Sequence, residues 1–572
     1  MRTLAFNSGF SDAPGLKGRL GIAHVFVLAL LGERLEVSVD FFMDTEVRAN
    51  ERDEYVDWKG RKADSEEHGG IRPASLTCAV EVLENMVFLS NGSNFVAYFI
   101  GTMHYPTAVA ANMVTNFMGT SFLLTIFAGF ISDSFLTRFV TFAVSCTVEL
   151  LGLIVLTIQA HSKSLQPPDH RRPNKYQAAV LYFGLYAMAT GVGGIKASLP
   201  THGADQLDHG NQRLVSAFFN WFFFSLCTGG LVTATVMVWV EENLGWRWSF
   251  KISIAALCLA LLIFVSGLRL YRYKLPRGSA FARIFKVLAS TARNQKASLA
   301  ERSRRTGVNS EVNTFAANGR LPKKFKFLDK ALADDTVSAS EVEETRAFFG
   351  LIPIFASTIL MNCCLAQLQT FSVEQGSVMD RMIRNFKIPT QSLTVLPLTI
   401  MLASIPVYER FRGVLGDKQR ARAGRIFEPL PRIGLGLALA SLSMAIAAAV
   451  EVKRRGAAAN GVVLSVFWLA WQYLLIGVSD MLTLGGMLEF FYSRAPGSMR
   501  SACTALAWCS TSMGYFLSSA LVSAINSASG RFGREWLGGN DLNRARLDLY
   551  YALLCVLNFL NLLNYIFWAK MY

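Results

Sequence analysis

Gly129-Phe-Ile-Ser-Asp133 runs directly into Ser134-Phe-Leu-Thr-Arg138, a G-x3-D-x4-R stretch between two apolar runs at 107–132 and 139–160. Each run is long enough to cross a ~30 Å hydrocarbon core as a helix, which takes ~20 apolar residues. The turn between them therefore belongs at a membrane surface. Its Asp and Arg can latch neighbouring helix ends through charge and the helix dipole. Gly129, Asp133 and Arg138 read as gating residues with a conformational role. Outward from this turn the pattern repeats at 74–100, 177–198, 214–240, 249–270, 347–372, 388–408, 432–450, 461–490, 501–526 and 547–569. Lipid satisfies no backbone polar group, so twelve such segments predict an all-α membrane protein with twelve transmembrane helices.

Composition agrees. Of the 572 residues, 52% are apolar, 42 are Phe and only 17% are charged, with mean hydropathy +0.33. A typical soluble protein is about 25% charged. These totals exclude a disordered chain, a secreted disulfide module and an ordinary soluble enzyme. The nine cysteines all lie in apolar runs without metal-ligand spacing, and read as buried thiols. No Walker A lysine, Rossmann glycine set, HExxH or GxSxG is present, so the chain does not read as an enzyme.

The net charge of +15 would suggest nucleic acid in a soluble chain. Here the segment 269–346, between the sixth and seventh apolar runs, holds 17 Lys/Arg and 8 Asp/Glu, a net of +9. No nucleic-acid partner follows. The segment divides the helices into two blocks of six. The predicted organisation is a cytoplasmic N-terminal segment 1–73 (with 1–50 an atypical extension), a six-helix bundle 74–270, a basic cytoplasmic linker 271–346 and a second bundle 347–572. Arg269, Arg272, Lys274 and Arg277 follow the sixth span. Arg410, Arg412, Lys418, Arg420, Arg422 and Arg425 follow the eighth. The positive-inside rule then places both termini in the cytoplasm. Lys163–Lys175 and Lys453-Arg454-Arg455 fall on the other side, against the rule. Within the linker, Arg302, Arg304, Arg305, Lys323, Lys324 and Lys326 read as a solvated face able to meet acidic lipid.

Ionisable groups inside spans are costly and mark function by default. Glu81 and Glu84 share one face of the first span, three residues apart. Two carboxylates that close in low dielectric resist ionising together, which suits a proton carrier. Lys196 follows the glycine-rich Gly191-Val-Gly-Gly194 of the fourth span, and Glu489 precedes Phe490-Phe-Tyr492 in the tenth. A Lys196–Glu489 or Lys196–Glu81 pair across the halves would form a gate that protonation or substrate breaks. Glu149 and Asp480 read as groups satisfied locally. The Asn91-Gly-Ser93 sequon lies inside the first span and should escape glycosylation. Pro353, Pro389, Pro397 and Pro406 read as kinks or helix starts. Trp246, Trp248, Trp568 and Tyr572 read as interfacial anchors.

Together with Tyr55-Val-Asp-Trp58, His68-Gly-Gly70, Met103-His104, Ala110-Ala-Asn-Met-Val-Thr-Asn116, Gly203-Ala-Asp-Gln206, Phe218-Phe-Asn-Trp-Phe222 and Gln367-Leu-Gln-Thr-Phe-Ser372, these marks resemble the plant nitrate/peptide transporter family. This is the proton-coupled oligopeptide transporter family of the major facilitator superfamily. The resemblance implies two six-helix bundles around a central cavity, alternating access and proton symport, with the proton gradient in place of any cofactor. It implies coupling at Glu81, Glu84 and Glu489. The family's first-helix motif ends in Arg or Lys where this chain has Asn85. Nitrate-carrying members can have a histidine before the Ala-Gln pair of the seventh helix, where this chain has Leu365. Glu81-Val-Leu-Glu-Asn-Met86, Cys363-Cys-Leu-Ala-Gln367 and the segment 431–455 resemble the subgroup with abscisic acid and gibberellin importers. The implied partners are a small organic acid, protons and the lipid bilayer, at the plasma membrane. Lys196 would hold the substrate carboxylate, with Phe222, Leu365 and Phe490 facing its rings. The alternatives are a nitrate or di/tripeptide symporter of the same fold, and a non-transporting receptor or scaffold.

Overall fold

Among the described residues, twelve long helices answer to the twelve apolar runs. They are α1 (Ile71–Gly101), α2 (Thr107–Ser134), α3 (Arg138–His161), α4 (Lys175–Asp205), α5 (Gln212–Asn243), α6 (Trp246–Ser266), α7 (Ala339–Ala366), α8 (Val395–Val414), α9 (Pro429–Ala459), α10 (Ala470–Arg494), α11 (Arg500–Gly530) and α12 (Leu547–Met571). The computed structural model describes residues 55–571 except 65–66, 106, 169–170, 209–210, 277, 295–324, 335, 368–369, 385, 389–390, 415–427, 532–535, 538–541 and 544. The predicted N-terminal extension, Arg277, Arg302, Arg304, Arg305, Lys323, Lys324, Pro389, Lys418, Arg420, Arg422, Arg425 and Tyr572 lie outside the described residues.

Eleven of the twelve helices are long and apolar enough to cross a membrane. The remaining one, α1, spans 31 residues but buries Glu81, Glu84, Asn85, Asn91 and Asn94. Its polar content is therefore turned into the protein and not toward lipid. Asn91 donates to the Val87 carbonyl at 2.7 Å, which places the sequon inside the bundle as expected. Helix starts follow local chemistry. Asn174 with Gln177, and Ser338 with Glu341, form capping boxes at α4 and α7, each satisfying otherwise orphaned backbone N–H groups. Pro353 and Pro406 lie inside α7 and α8, and Pro397 lies in the first turn of α8. A π-turn at Thr233–Met237 widens α5.

Packing follows the two sixfold blocks. Helix α1 lies against α2, α4, α5 and α6, and α3 against α4 and α6. In the second block α9 packs on α10 and α12, and α7 on α11 and α12. The halves meet mainly through α2 against α11 and α5 against α8. A linker helix at Ala280–Arg293 joins them, its Arg283 3.2 Å from Glu344 and its Lys286 3.2 Å from Glu341 of α7. The face on which this linker lies is called the linker face below.

Three expectations change. Lys453, Arg454 and Arg455 are not loop charges, because α9 continues to Ala459. Arg454 is buried and pairs with Glu451 at 2.7 Å, Arg455 pairs with Asp548 at 2.7 Å, and the Lys453 ammonium sits 3.6 Å from the Trp468 ring. Trp246 is packed inward with Phe95, Tyr98 and Phe250 and does not stand out as an anchor, whereas Trp248 is exposed. The nine cysteines are free thiols, but Cys258 is exposed, so burial holds for most and not for all.

The Glu451–Arg454 pair makes a stability prediction. Removing one partner of a buried ion pair leaves an uncompensated charge and costs about 3–5 kcal/mol. Glu451→Ala should therefore lower the thermal unfolding midpoint of the purified protein by several degrees. A midpoint within error of the parent would contradict it.

Candidate functional site

On the linker face, the G-x3-D-x4-R turn grips the start of α11. Arg138 donates from Nε to the Ser501 hydroxyl at 2.8 Å, lies 3.2 Å from Asp133, and pairs closely with Asp205 at the end of α4. Asp133 accepts the Ala502 backbone N–H at 2.9 Å. That N–H is one of the orphan donors of the first turn of α11, so the carboxylate satisfies it and meets the positive end of the helix dipole. Gly129 allows the approach: a Cβ there would stand 2.9 Å from the Ser501 carbonyl and 3.0 Å from the Ala502 backbone. Tyr492 of α10 donates to Asp205 at 2.7 Å. Gly129, Asp133 and Arg138 thus stand together at a junction between the halves.

A second junction closes the same face. The Ser216 hydroxyl of α5 donates to Glu489 at 2.8 Å and receives Arg412 of α8 at 2.7 Å. Asn220 of α5 bonds Glu409 of α8. Glu489 also lies 3.6 Å from the buried Arg432, whose guanidinium donates to the Met481 carbonyl and lies over the Tyr408 ring. Lys274, just past α6, donates to the Gly497 carbonyl before α11 at 2.9 Å.

Deeper in the first half, the Lys196 ammonium sits 2.6 Å from Glu81 Oε1, 2.5 Å from Glu84 Oε2 and 3.1 Å from Asn85 Oδ1. Glu81 and Glu84 are fully buried and Lys196 is 1% exposed. The turn from Glu81 to Asn85 presents all three acceptors to one point on α4, as spacings of three and four residues require. Asn85 spends its donor on the Leu226 carbonyl of α5 at 2.7 Å, which leaves its oxygen for Lys196. Asn85 is a neutral acceptor, so one ammonium faces two carboxylates. Aromatic faces close the remaining sides: Phe88 at 5.8 Å and Trp508 of α11 at 5.4 Å, with Trp508 stacked on Phe122 at 5.6 Å.

The expected Lys196–Glu489 pair is not formed. Both helices run toward the linker face, but Lys196 lies nine residues before the end of α4 and Glu489 five before the end of α10. At ~1.5 Å per residue the two differ in depth by ~6 Å, more than a helical turn. Glu489 belongs to the junction with Ser216, and Lys196 to α1. The Lys196–Glu81 pair does form, but within the first half and not across the halves.

Phe222 is buried against Phe218, Phe490 against Phe491, and Leu365 is partly buried on α7. The rings beside Lys196 are Phe88 and Trp508. Phe88 was legible as the residue four beyond Glu84 on the same face. Trp508 had only the weak signal of a single ring in the Ala-, Ser- and Cys-rich start of α11. Asp480 is buried on α10 within electrostatic reach of Cys227 and Tyr515. Glu149 is buried on α3, with neither carboxylate oxygen hydrogen-bonded. Neither is the locally satisfied group expected from the sequence.

A profile of the POT family (PTR2) matches residues 139–536. Among similar proteins, the Arabidopsis thaliana protein NRT1/PTR FAMILY 4.2 is 54% identical over 91% of this chain and 99% of its own length. NRT1/PTR FAMILY 4.1 of the same plant is 52% identical over 91% and 99%. Among solved structures, an auto-inhibited POT family peptide transporter superposes with a TM-score of 0.62 at 20% identity, covering 88% of this chain and 97% of that one. The POT family transporter PepTSo superposes with a TM-score of 0.63 at 18% identity, covering 87% and 98%. Those structures share the fold, two six-helix bundles of the major facilitator type. With the profile and the plant relatives in agreement, this chain is a membrane transporter of the POT family, within its plant NRT1/PTR branch, and not an enzyme.

Proposed function

We propose that the protein is a proton-coupled symporter that imports an organic-acid plant hormone, such as abscisic acid or gibberellin, by alternating access. On this reading the linker face is cytoplasmic, both termini are cytoplasmic and the membrane is the plasma membrane. The observation that carries it is the Lys196 ammonium held by Glu81 and Glu84 in a water-poor interior. An ammonium so held is not available to a substrate anion. Protons arriving on Glu81 and Glu84 weaken both contacts and release Lys196 to take a carboxylate. Proton binding and anion binding then favour one another. The apolar wall of Phe88, Trp508 and Phe122 suits the hydrocarbon body of such an acid better than a small hydrated anion.

The two junctions on the linker face supply the second half of the cycle. Asp133, Arg138 and Ser501 on one side, and Ser216, Glu489 and Arg412 on the other, hold that face shut. Passage inward requires both to part. Glu489 acts in this scheme as a gate residue whose protonation weakens its contacts with Ser216 and Arg432.

One observation favours a second reading. Asp480 lies buried with no ion-pair partner among the described residues, and a buried carboxylate of that kind suits a substrate amine. A zwitterion such as a short peptide would use Lys196 and Asp480 together.

Uptake of labelled abscisic acid, gibberellin, nitrate and a dipeptide into expressing oocytes, with uninjected cells subtracted, separates these cargoes. Hormone uptake should dominate and should rise as external pH falls, because protonated Glu81 and Glu84 free the lysine. Glu84→Gln should flatten that rise. Lys196→Ala removes a charge-assisted contact of about 1.5–3 kcal/mol and should cut uptake about ten- to hundredfold. Unchanged uptake at an equal surface level would overturn the assignment. Asp133→Asn removes about 1–2 kcal/mol of charge and dipole stabilisation from the closed face. It should lower maximal uptake several-fold with little change in KM, and raise labelling of a cysteine placed at Ser132.

A further inference from the structure

Glu149 sits in mid-membrane on α3, fully buried, and among the described residues neither of its carboxylate oxygens has a hydrogen-bond partner. Such a group is rare in a folded interior. An ionised carboxylate without a partner carries a desolvation cost of several kcal/mol, and the group avoids it by holding a proton.

Its surroundings tie it to the Lys196 site. Helix α4 presses onto it: a Cβ on Gly191 would stand 2.5 Å from the Glu149 Cβ and 2.6 Å from its backbone nitrogen. Glu84 of α1 and Lys196 of α4 are the charged groups within electrostatic reach. Cys146, one turn earlier on α3, faces it as a thiol. Helix α6, also packed along α3, brings Cys258 toward Cys146, and α2 contributes no titratable group that Glu149 feels. Among the described residues no cation other than Lys196 faces Glu149, and Lys196 is already committed to Glu81 and Glu84. Three buried carboxylates therefore share one ammonium. A net charge of −2 in that interior is untenable, so the group as a whole must carry protons.

We propose that Glu149 is a third proton-binding carboxyl of this transporter, protonated in the conformation described and exchanging its proton with Glu84. The inference rests on the proton-coupled reading above, and deepens it from a carboxylate pair to a carboxylate triad. When Glu84 takes up a proton and releases Lys196, the local positive charge rises and Glu149 is free to ionise. When Glu84 gives up its proton, Glu149 retains or regains one. The step is a proton transfer between oxygen acids, so no bond to carbon and no oxidation change is involved.

The test uses the full-length protein, reconstituted in lipid, and reads protonation directly. Infrared difference spectra between acid and alkaline buffer record the C=O stretch of protonated carboxyls in apolar surroundings. Glu149→Gln, which keeps the shape of the protonated side chain, should remove one such band and leave the Glu81 and Glu84 bands in place. Glu149→Asp should shift the band without abolishing it, and serves if the Gln variant fails to reach the membrane. In transport assays Glu149→Gln should retain substrate exchange in counterflow while the proton concentration for half-maximal net uptake changes at least about threefold. An unaltered carboxyl spectrum overturns the proposal even if the protein proves to be a proton symporter. Loss of acid stimulation in the parent with the Glu149 band present would fail the coupling reading and leave the protonated carboxyl standing. A band lost in Glu149→Gln with no change in the pH profile overturns the exchange with Glu84.

Discussion

A single ammonium inside the hydrocarbon governs the arrangement of the first half. Lys196 cannot remain charged in that environment without nearby carboxylates, and Glu81 and Glu84 cannot remain there without a cation. Their contacts at 2.6 and 2.5 Å fix the rotation of α1 against α4. Asn85 then fixes α1 against α5 through the Leu226 carbonyl. Because each of these helices also touches the opposite half or its neighbours, the charge state of one cluster bears on the position of several helices.

The closed linker face answers to a different constraint. Helix starts expose N–H groups that must find acceptors, and α11 begins where the halves meet. Asp133 supplies the acceptor from α2, while Arg138 and Tyr492 converge on Asp205. These contacts are polar, small in number and separable. Apolar packing of the same area would resist parting far more strongly. In the proposed cycle this face acts as a gate, which needs contacts whose strength protonation or a small helix shift can change, and hydrogen-bonded carboxylates are of that kind.

Much of this was legible in the residues. The twelve helices, the sixfold division, the shared face of Glu81 and Glu84 and the turn at 129–138 follow from apolar run lengths, charge placement and spacing, whereas the nearness of Lys196 to those carboxylates came only from the family resemblance. What escaped had specific causes. The partner of Glu489 depends on helix depth, which sequence distance across 293 residues does not report. The basic run at 453–455 looked like a loop because two of its partners, Asp548 and Trp468, come from other elements far along the chain. Trp508 and Phe122 join Lys196 only because α2 and α11 are adjacent. Glu149 looked ordinary because an absence of partners is invisible until neighbours are known.

The sequence by itself determined that the chain crosses a membrane repeatedly and that a few ionisable groups lie within it. Local physics suffices there: a run of ~20 apolar residues must be helical in lipid, and a charge inside it must be compensated. The tertiary structure alone decided which charge compensates which, that Lys196 is held within one half, that Glu489 belongs to the linker face, and that Glu149 has no partner among the described residues. Those outcomes depend on the relative depth and rotation of packed helices, which are set by side-chain contacts between segments far apart in the chain.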